Sequence, residues 1–180
     1  MDQFRSSVGE IEEICKIFIE NSFKEIASAE AAFDLVTNFE RIESRPSINA
    51  HIAGRYQDIM HRYNEELEEL ENLFSVGKAN PPMVKEFPPV TSAIAWATSL
   101  YKRAKRMVLR FKDRNGLLQT PYGTKLKHHY LTFAKEVDTY VKNLYDAWAS
   151  KAETAISKLK EPLLKAVNPL YSKKGKPMLP

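Results

Sequence analysis

Residues 56–74 read YQDIMHRYNEELEELENLF, and their spacing decides the fold class. Tyr56, Met60, Tyr63, Leu67, Leu70 and Phe74 recur at intervals of four, three, four, three and four. Side chains so spaced fall on one face of an α-helix, and the glutamates of EELEELEN supply the solvated face. Gly77 and then Asn80-Pro81-Pro82 predict its end, because glycine accepts C-cap geometry and proline cannot continue a helix. Downstream, residues 79–90, ANPPMVKEFPPV, read as an extended linker, since a residue preceding proline is pushed out of the α region.

Two further stripes follow. Thr91 or Ser92 offers an N-cap for Ile94, Ala97, Tyr101, Ala104, Val108 and Phe111, widened by Trp96, Leu100 and Met107. Asn115-Gly116 breaks that helix, and Pro121 suits the first turn of the next. There Leu126, Tyr130, Phe133, Val137, Tyr140, Leu144 and Trp148 keep a heptad-like spacing, which shifts and continues through Ala152, Ala155 and Leu159 to Leu163. Pro162 should end or kink it. Upstream, Ile11, Ile14, Cys15, Phe18 and Ile19 form a helical pattern, with Ile26, Ala29, Phe33 and Val36 continuing it or starting another. The expected fold is all-α: an elongated antiparallel helical bundle with short proline-containing joints. Helices are expected near residues 8–41, 48–77, 91–114 and 121–167. The expected organisation is an acidic helical part over 1–79, a proline-rich linker over 80–90, and a basic helical part with a turn-rich end over 91–180.

Composition agrees with a folded helical chain. A hydrophobic share of 43% beside 28% charged residues supports a core and excludes a disordered polyampholyte. The single Cys15 excludes an internal disulfide and points to a reducing compartment. No apolar run approaches the roughly 20 residues of a membrane span, and MDQFRSSVGEIEE lacks the pattern of a signal peptide. The default address is cytoplasmic.

Charge is divided along the chain. Residues 1–79 carry a balance of −8 and residues 80–180 one of +12, within a net charge of +4. The basic run YKRAKRMVLRFK, residues 101–112, places Lys102, Arg103, Lys105, Arg106, Arg110 and Lys112 on an amphipathic helix. Such a helix can grip phosphates or anionic lipid. A free-standing adaptor binding membrane or nucleic acid is therefore one reading. The acidic helix upstream favours the other, in which the basic residues meet acidic faces of this chain or of a protein partner. Nucleic-acid binders commonly add aromatic or glycine-rich reading elements, which the run lacks. Neither nucleic acid nor membrane is the expected partner.

No catalytic pattern emerges. His51 and His61, and the adjacent His128-His129, lack carboxylate or cysteine partners at metal-ligand spacing, and read as surface or capping histidines. Glu65, Glu66, Glu68 and Glu69 read as a solvated face rather than as paired catalytic carboxylates. Phosphate-binding glycine loops and nucleophile elbows are absent from the sequence. The expectation is a chain without catalytic, cofactor or metal residues.

Wording carries what composition does not. FDLVTNFERIESRPSI, residues 33–48, is followed by the tyrosine-rich acidic helix and then by PPVTSAIAWATSLYKRAKRMV, residues 88–108. These blocks, in this order, resemble the N-terminal tail region of dynein heavy chains, most of all the axonemal branch, over roughly residues 25–150. Phe33, Asp34, Leu35, Phe39, Ile42, Ser44, Arg45 and Ile48 match the first family block; Pro88, Pro89, Val90, Ala93, Ile94, Trp96, Leu100 and Arg103 match the second. Thr91-Ser92 depart from a common Ala-Gly, and Ala104 from isoleucine. The resemblance implies a non-catalytic scaffold segment of a microtubule motor complex, with the ATPase ring downstream in a complete heavy chain. Its implied partners are dynein intermediate and light chains and another dynein heavy chain, and its implied place is the cytoskeleton of the ciliary axoneme. Glu43–Ser47, ESRPS, then reads as a joint between bundles, with Arg45 bonding carbonyls at the helix end. Lys102, Lys105, Arg106 and Arg110 are expected to divide between an inner acidic contact and an outer partner surface. Trp96 is expected to be buried.

Overall fold

The computed structural model describes residues 2–39, 46–84, 86–114 and 116–160. The joint residues Ser44 and Arg45, Pro162 and the tail KKGKPMLP lie outside the described residues. Among those described, the chain is all-α, with no strand. The helices are α1 (Asp2–Glu25), α2 (Ala29–Phe39), α3 (Pro46–Gly77), α4 (Pro89–Lys112) and α5 (Pro121–Leu159), with a 3-10 turn at Leu117–Gln119 before α5.

Two compact units divide the chain, Met1–Val141 and Lys142–Pro180. Within the first, α3 organises the packing. Its N-terminal half contributes Ile52, Tyr56, Ile59, Met60 and Tyr63 to a core shared with α1, α2, the end of α4 and the start of α5. Its C-terminal half contributes Leu67, Leu70 and Phe74 to a second core shared with α4 and α5. The ring pairs give the directions. Tyr63 meets Phe111 and Phe74 meets Trp96, so α4 runs antiparallel to α3. His61 meets Tyr122 and Phe74 meets Phe133, so α5 runs back parallel to α3. Phe18 meets Phe39, which closes α1 and α2 as a hairpin.

Several sequence expectations need correction. The helix expected over 8–41 is two helices, broken at residues 26–28. Ser28 starts the second, its Oγ accepting the Ala31 N–H at 3.2 Å. In α1 only Ile19 of the expected stripe is fully buried, while Ile11, Ile14 and Phe18 are exposed. Helix α4 begins at Pro89 with Pro88 as N-cap residue, three or four residues ahead of the expected caps Thr91 and Ser92. Proline is pre-set for a first helical turn and loses no bond there. Ser92 is instead buried inside that turn, where its Oγ accepts the Val84 N–H and donates to the Phe87 carbonyl, tying the linker to α4. The buried stripe of α4 runs Ala93, Ala97, Leu100, Ala104, Met107 and Phe111, so Leu100 and Met107 are central, whereas Ile94, Tyr101 and Val108 flank it.

Trp96 is half-buried rather than buried. One face stacks on Phe74 at 5.9 Å between centroids, and the ring edge lies over Gly77. A Cβ at Gly77 would overlap that ring. Close approach is therefore why glycine stands here; among the described residues only Gly116, at φ 93°, has a left-handed backbone. Pro121 does open α5, and Thr120 caps it, accepting the Gly123 N–H at 3.0 Å while donating to the Leu117 carbonyl at 2.8 Å.

In the second unit the described residues are the last turns of α5. Tyr145, Trp148, Ile156 and Leu159 are exposed there. The stripe reads on through these positions, but periodicity marks an apolar face without showing that a neighbour covers it.

Candidate functional site

Within the acidic part, α3 holds the α1–α2 break. Arg62 and Glu66 stand one turn apart on α3, and the spacing puts both on the face toward that break. The Arg62 guanidinium donates to the Phe23 carbonyl at 3.1 Å and to the Ile26 carbonyl, and lies 4.9 Å from the Phe23 ring centroid. Glu66 accepts the Ala29 N–H at 2.7 Å. A cation thus meets the carbonyl end of α1 and an anion the amide end of α2, each matching the local helix dipole. Glu66 is accordingly not part of a solvated face. Sequence reasoning missed this pair; the available signal was an i, i+4 Arg–Glu pair beside an apolar stripe.

The acidic and basic parts of the chain meet between α2 and α4. Arg110 donates to Glu30 at 3.0 Å and to Asp34, and Arg106 donates to Glu30 at 3.2 Å. Arg110 also lies 5.9 Å from the Phe33 ring centroid, on the outer side of a ring that packs edge-on against Phe111. Of the family-block residues, Phe33 and Leu100 are buried, Phe39 is half-buried, and Pro88 and Pro89 start α4. Arg103 is exposed and lines a cleft of about 550 Å³ with Glu65, Glu66 and Glu69.

Lys102 and Lys105 face solvent, Lys105 with its ammonium 5.6 Å from the Tyr101 ring centroid. The structure therefore brings Arg106 and Arg110 together on α2, and leaves Lys102 and Lys105 apart from them.

Tyr63 and His129 make further polar contacts between α3 and its neighbours. The Tyr63 hydroxyl donates to the Ala104 carbonyl at 2.8 Å, and burial, with smaller contributions from Tyr130 and Glu66, pushes its pKa well above the ordinary tyrosine value. His129, read as a surface histidine, sets Nδ1 2.9 Å from Asn64 Oδ1 and Nε2 2.9 Å from Glu71 Oε1, pinning α5 to α3. Among the described residues no three histidine, cysteine, aspartate or glutamate side chains gather as a metal site. No described helix is long and apolar enough to cross a membrane.

Known proteins resemble this chain in sequence over most of its length. A family model described as dynein heavy chain, N-terminal region 1, matches residues 1–173. The chain is 26% identical over 162 residues to the dynein gamma chain of the flagellar outer arm of Chlamydomonas reinhardtii, covering 90% of this chain and 4% of that one. It is 30% identical over 128 residues to human dynein axonemal heavy chain 10, covering 69% of this chain and 3% of that one. It is 28% identical over 166 residues to the Chlamydomonas dynein-1-alpha heavy chain of the flagellar inner arm I1 complex, covering 91% of this chain and 4% of that one. The chain thus spans only about a twenty-fifth of the length of such relatives. Inner-arm and outer-arm heavy chains both match, and the matched region includes both sequence blocks. The chain belongs to the dynein heavy chain N-terminal region 1 family.

Proposed function

We propose that this chain is a non-catalytic scaffold segment of a dynein heavy chain tail. It serves assembly with intermediate and light chains, or with another heavy chain, in a microtubule motor complex of the ciliary axoneme. Family membership across residues 1–173 supports the tail assignment, and the names of the relatives, outer arm and inner arm I1 complex, support an axonemal setting. The observation that carries the assembly role is the use made of α4. Its arginines Arg106 and Arg110 are engaged with α2, while Lys102 and Lys105 remain outward. Outward charge of one sign on a packed bundle steers association more than it fixes affinity. ATP turnover, cofactors and metals have no part in this role.

Reconstitution tests it. Purified chain, mixed with a dynein intermediate chain or with the tail of a second heavy chain, should co-elute as a complex. Failure to bind either of these or a light chain, or ATP turnover abolished by one substitution within residues 1–180, would overturn it.

A further inference from the structure

The buried stripes of α4 and α5 meet Leu67, Leu70 and Phe74 of α3 in one core. Beside that contact Thr98 and Tyr101 of α4, with Leu131, Ala134 and Val141 of α5, line an open groove of about 560 Å³. A second groove of about 460 Å³ continues from Leu131 along Val108 and Tyr130. Leu131, where the two meet, is 50% exposed. The floor of this seam is apolar. Its rim is basic: Lys135 lines the first groove, Lys112 and Lys127 the second, and Lys105 stands over Tyr101. Asp138 is the one acid among the described lining residues.

We propose that the α4–α5 seam is a docking groove for an acidic amphipathic helix of an associated subunit. The inference rests on the assembly role above and names the chemistry of one partner. An apolar recess between two helices accepts the apolar face of a third, and lysines on both banks match carboxylates flanking that face. Phosphate-rich partners fit less well. Tyr101 already stacks on Tyr130 at 6.4 Å, which leaves it unsuited as a platform for bases. Lipid surfaces take an apolar ridge that inserts, whereas the seam is recessed.

The test uses the 180-residue chain and a labelled synthetic helical peptide, leucines at i, i+3, i+4 and i+7 and glutamates elsewhere. A peptide of the same composition in scrambled order is the control. The ordered peptide should bind saturably, lose affinity with salt, and bind about tenfold more tightly than the scrambled one. Lys105→Glu/Lys135→Glu should weaken it by about tenfold, as charge complementarity demands, and the milder Lys112→Gln/Lys127→Gln should weaken it less, both with unchanged circular dichroism. Equal binding of the two peptides, indifference to both double substitutions, or tighter binding of single-stranded RNA or phosphatidylserine vesicles would overturn the groove. Reconstitution with intermediate chain or second tail, run in parallel, separates the two claims. Normal reconstitution without peptide binding removes the groove alone; peptide binding without reconstitution removes the assembly role alone.

Discussion

Arg62 and Glu66, one turn apart on α3, bind opposite ends of the same break: Arg62 the carbonyls of Phe23 in α1 and of Ile26 just beyond it, Glu66 the first amide of α2. Neither group is satisfied by its own helix. The hairpin of α1 and α2 is thereby locked to α3 by backbone bonds as well as by the packing of Phe23, Phe33 and Tyr56.

Removing either side chain should loosen the hairpin. Glu66→Ala exposes an uncapped amide at a helix start, which costs about 1 kcal/mol. Arg62→Ala leaves part-buried carbonyls unpaired and costs about 1–3 kcal/mol. Arg62→Lys should recover little, since one ammonium cannot span both carbonyls as the guanidinium fork does. Denaturant unfolding of the two single variants and the double variant checks this. The double should cost less than the sum, because both act on one break.

Gly77→Ala offers a test with an inverted sign. In an open helix the change gains about 0.5–1 kcal/mol from propensity. Here the new methyl group would enter the Trp96 ring and break its stack on Phe74. A net loss of about 1–3 kcal/mol is expected, as in other overpacked sites. A raised thermal midpoint for Gly77→Ala would show that Trp96 moves aside without cost.

Alkaline stability follows from Tyr63. Its pKa in the fold lies above the ordinary value of about 10 for an unfolded tyrosine. Above that pH the unfolded chain has lost a proton that the folded chain keeps, so stability falls as pH rises. Below it the contribution is fully present. Tyr130, raised chiefly by burial, acts in the same direction. Tyr63→Phe should lose about 0.5–1.5 kcal/mol at neutral pH with its bond to the Ala104 carbonyl. Its stability should then decline less steeply above pH of about 10. Parallel pH–stability curves for the two proteins would contradict the assignment.

The α2–α4 ion pairs are part-exposed, so they weigh less. Arg110→Ala should cost about 1 kcal/mol, near the upper end for surface pairs because Glu30, Asp34 and the Phe33 ring share the guanidinium. Raising the salt concentration should shrink that cost.

Much of this was legible in the sequence. The stripe from Tyr56 to Phe74 gave α3, and its six residues are all buried. The α1–α2 break was left open by the sequence, because Ile26-Ala27-Ser28 holds neither glycine nor proline and Ser28 alone offers a cap; Arg62 and Glu66 of α3 satisfy its two ends. Trp96 shows another limit. Spacing placed it beside the stripe, but only the end of α3 at Gly77 determines how much of the ring is covered. Likewise the exposed Trp148 continues a stripe that no sequence pattern could show to be uncovered. For the basic run, charge pattern marked the residues, but their division depends on where Glu30 and Asp34 fall on the neighbouring helix.

We propose that the outward Lys102 and Lys105 of α4 serve assembly while Arg106 and Arg110 serve the fold. The direct measurement is the rate at which the chain associates with a purified dynein intermediate chain or second heavy-chain tail, at low and high salt. Lys102→Glu/Lys105→Glu should slow association at low salt, approach the wild-type rate at high salt, and leave circular dichroism and unfolding midpoint unchanged. Association at the wild-type rate under both conditions would contradict the account and leave the outer face of α4 merely solvated.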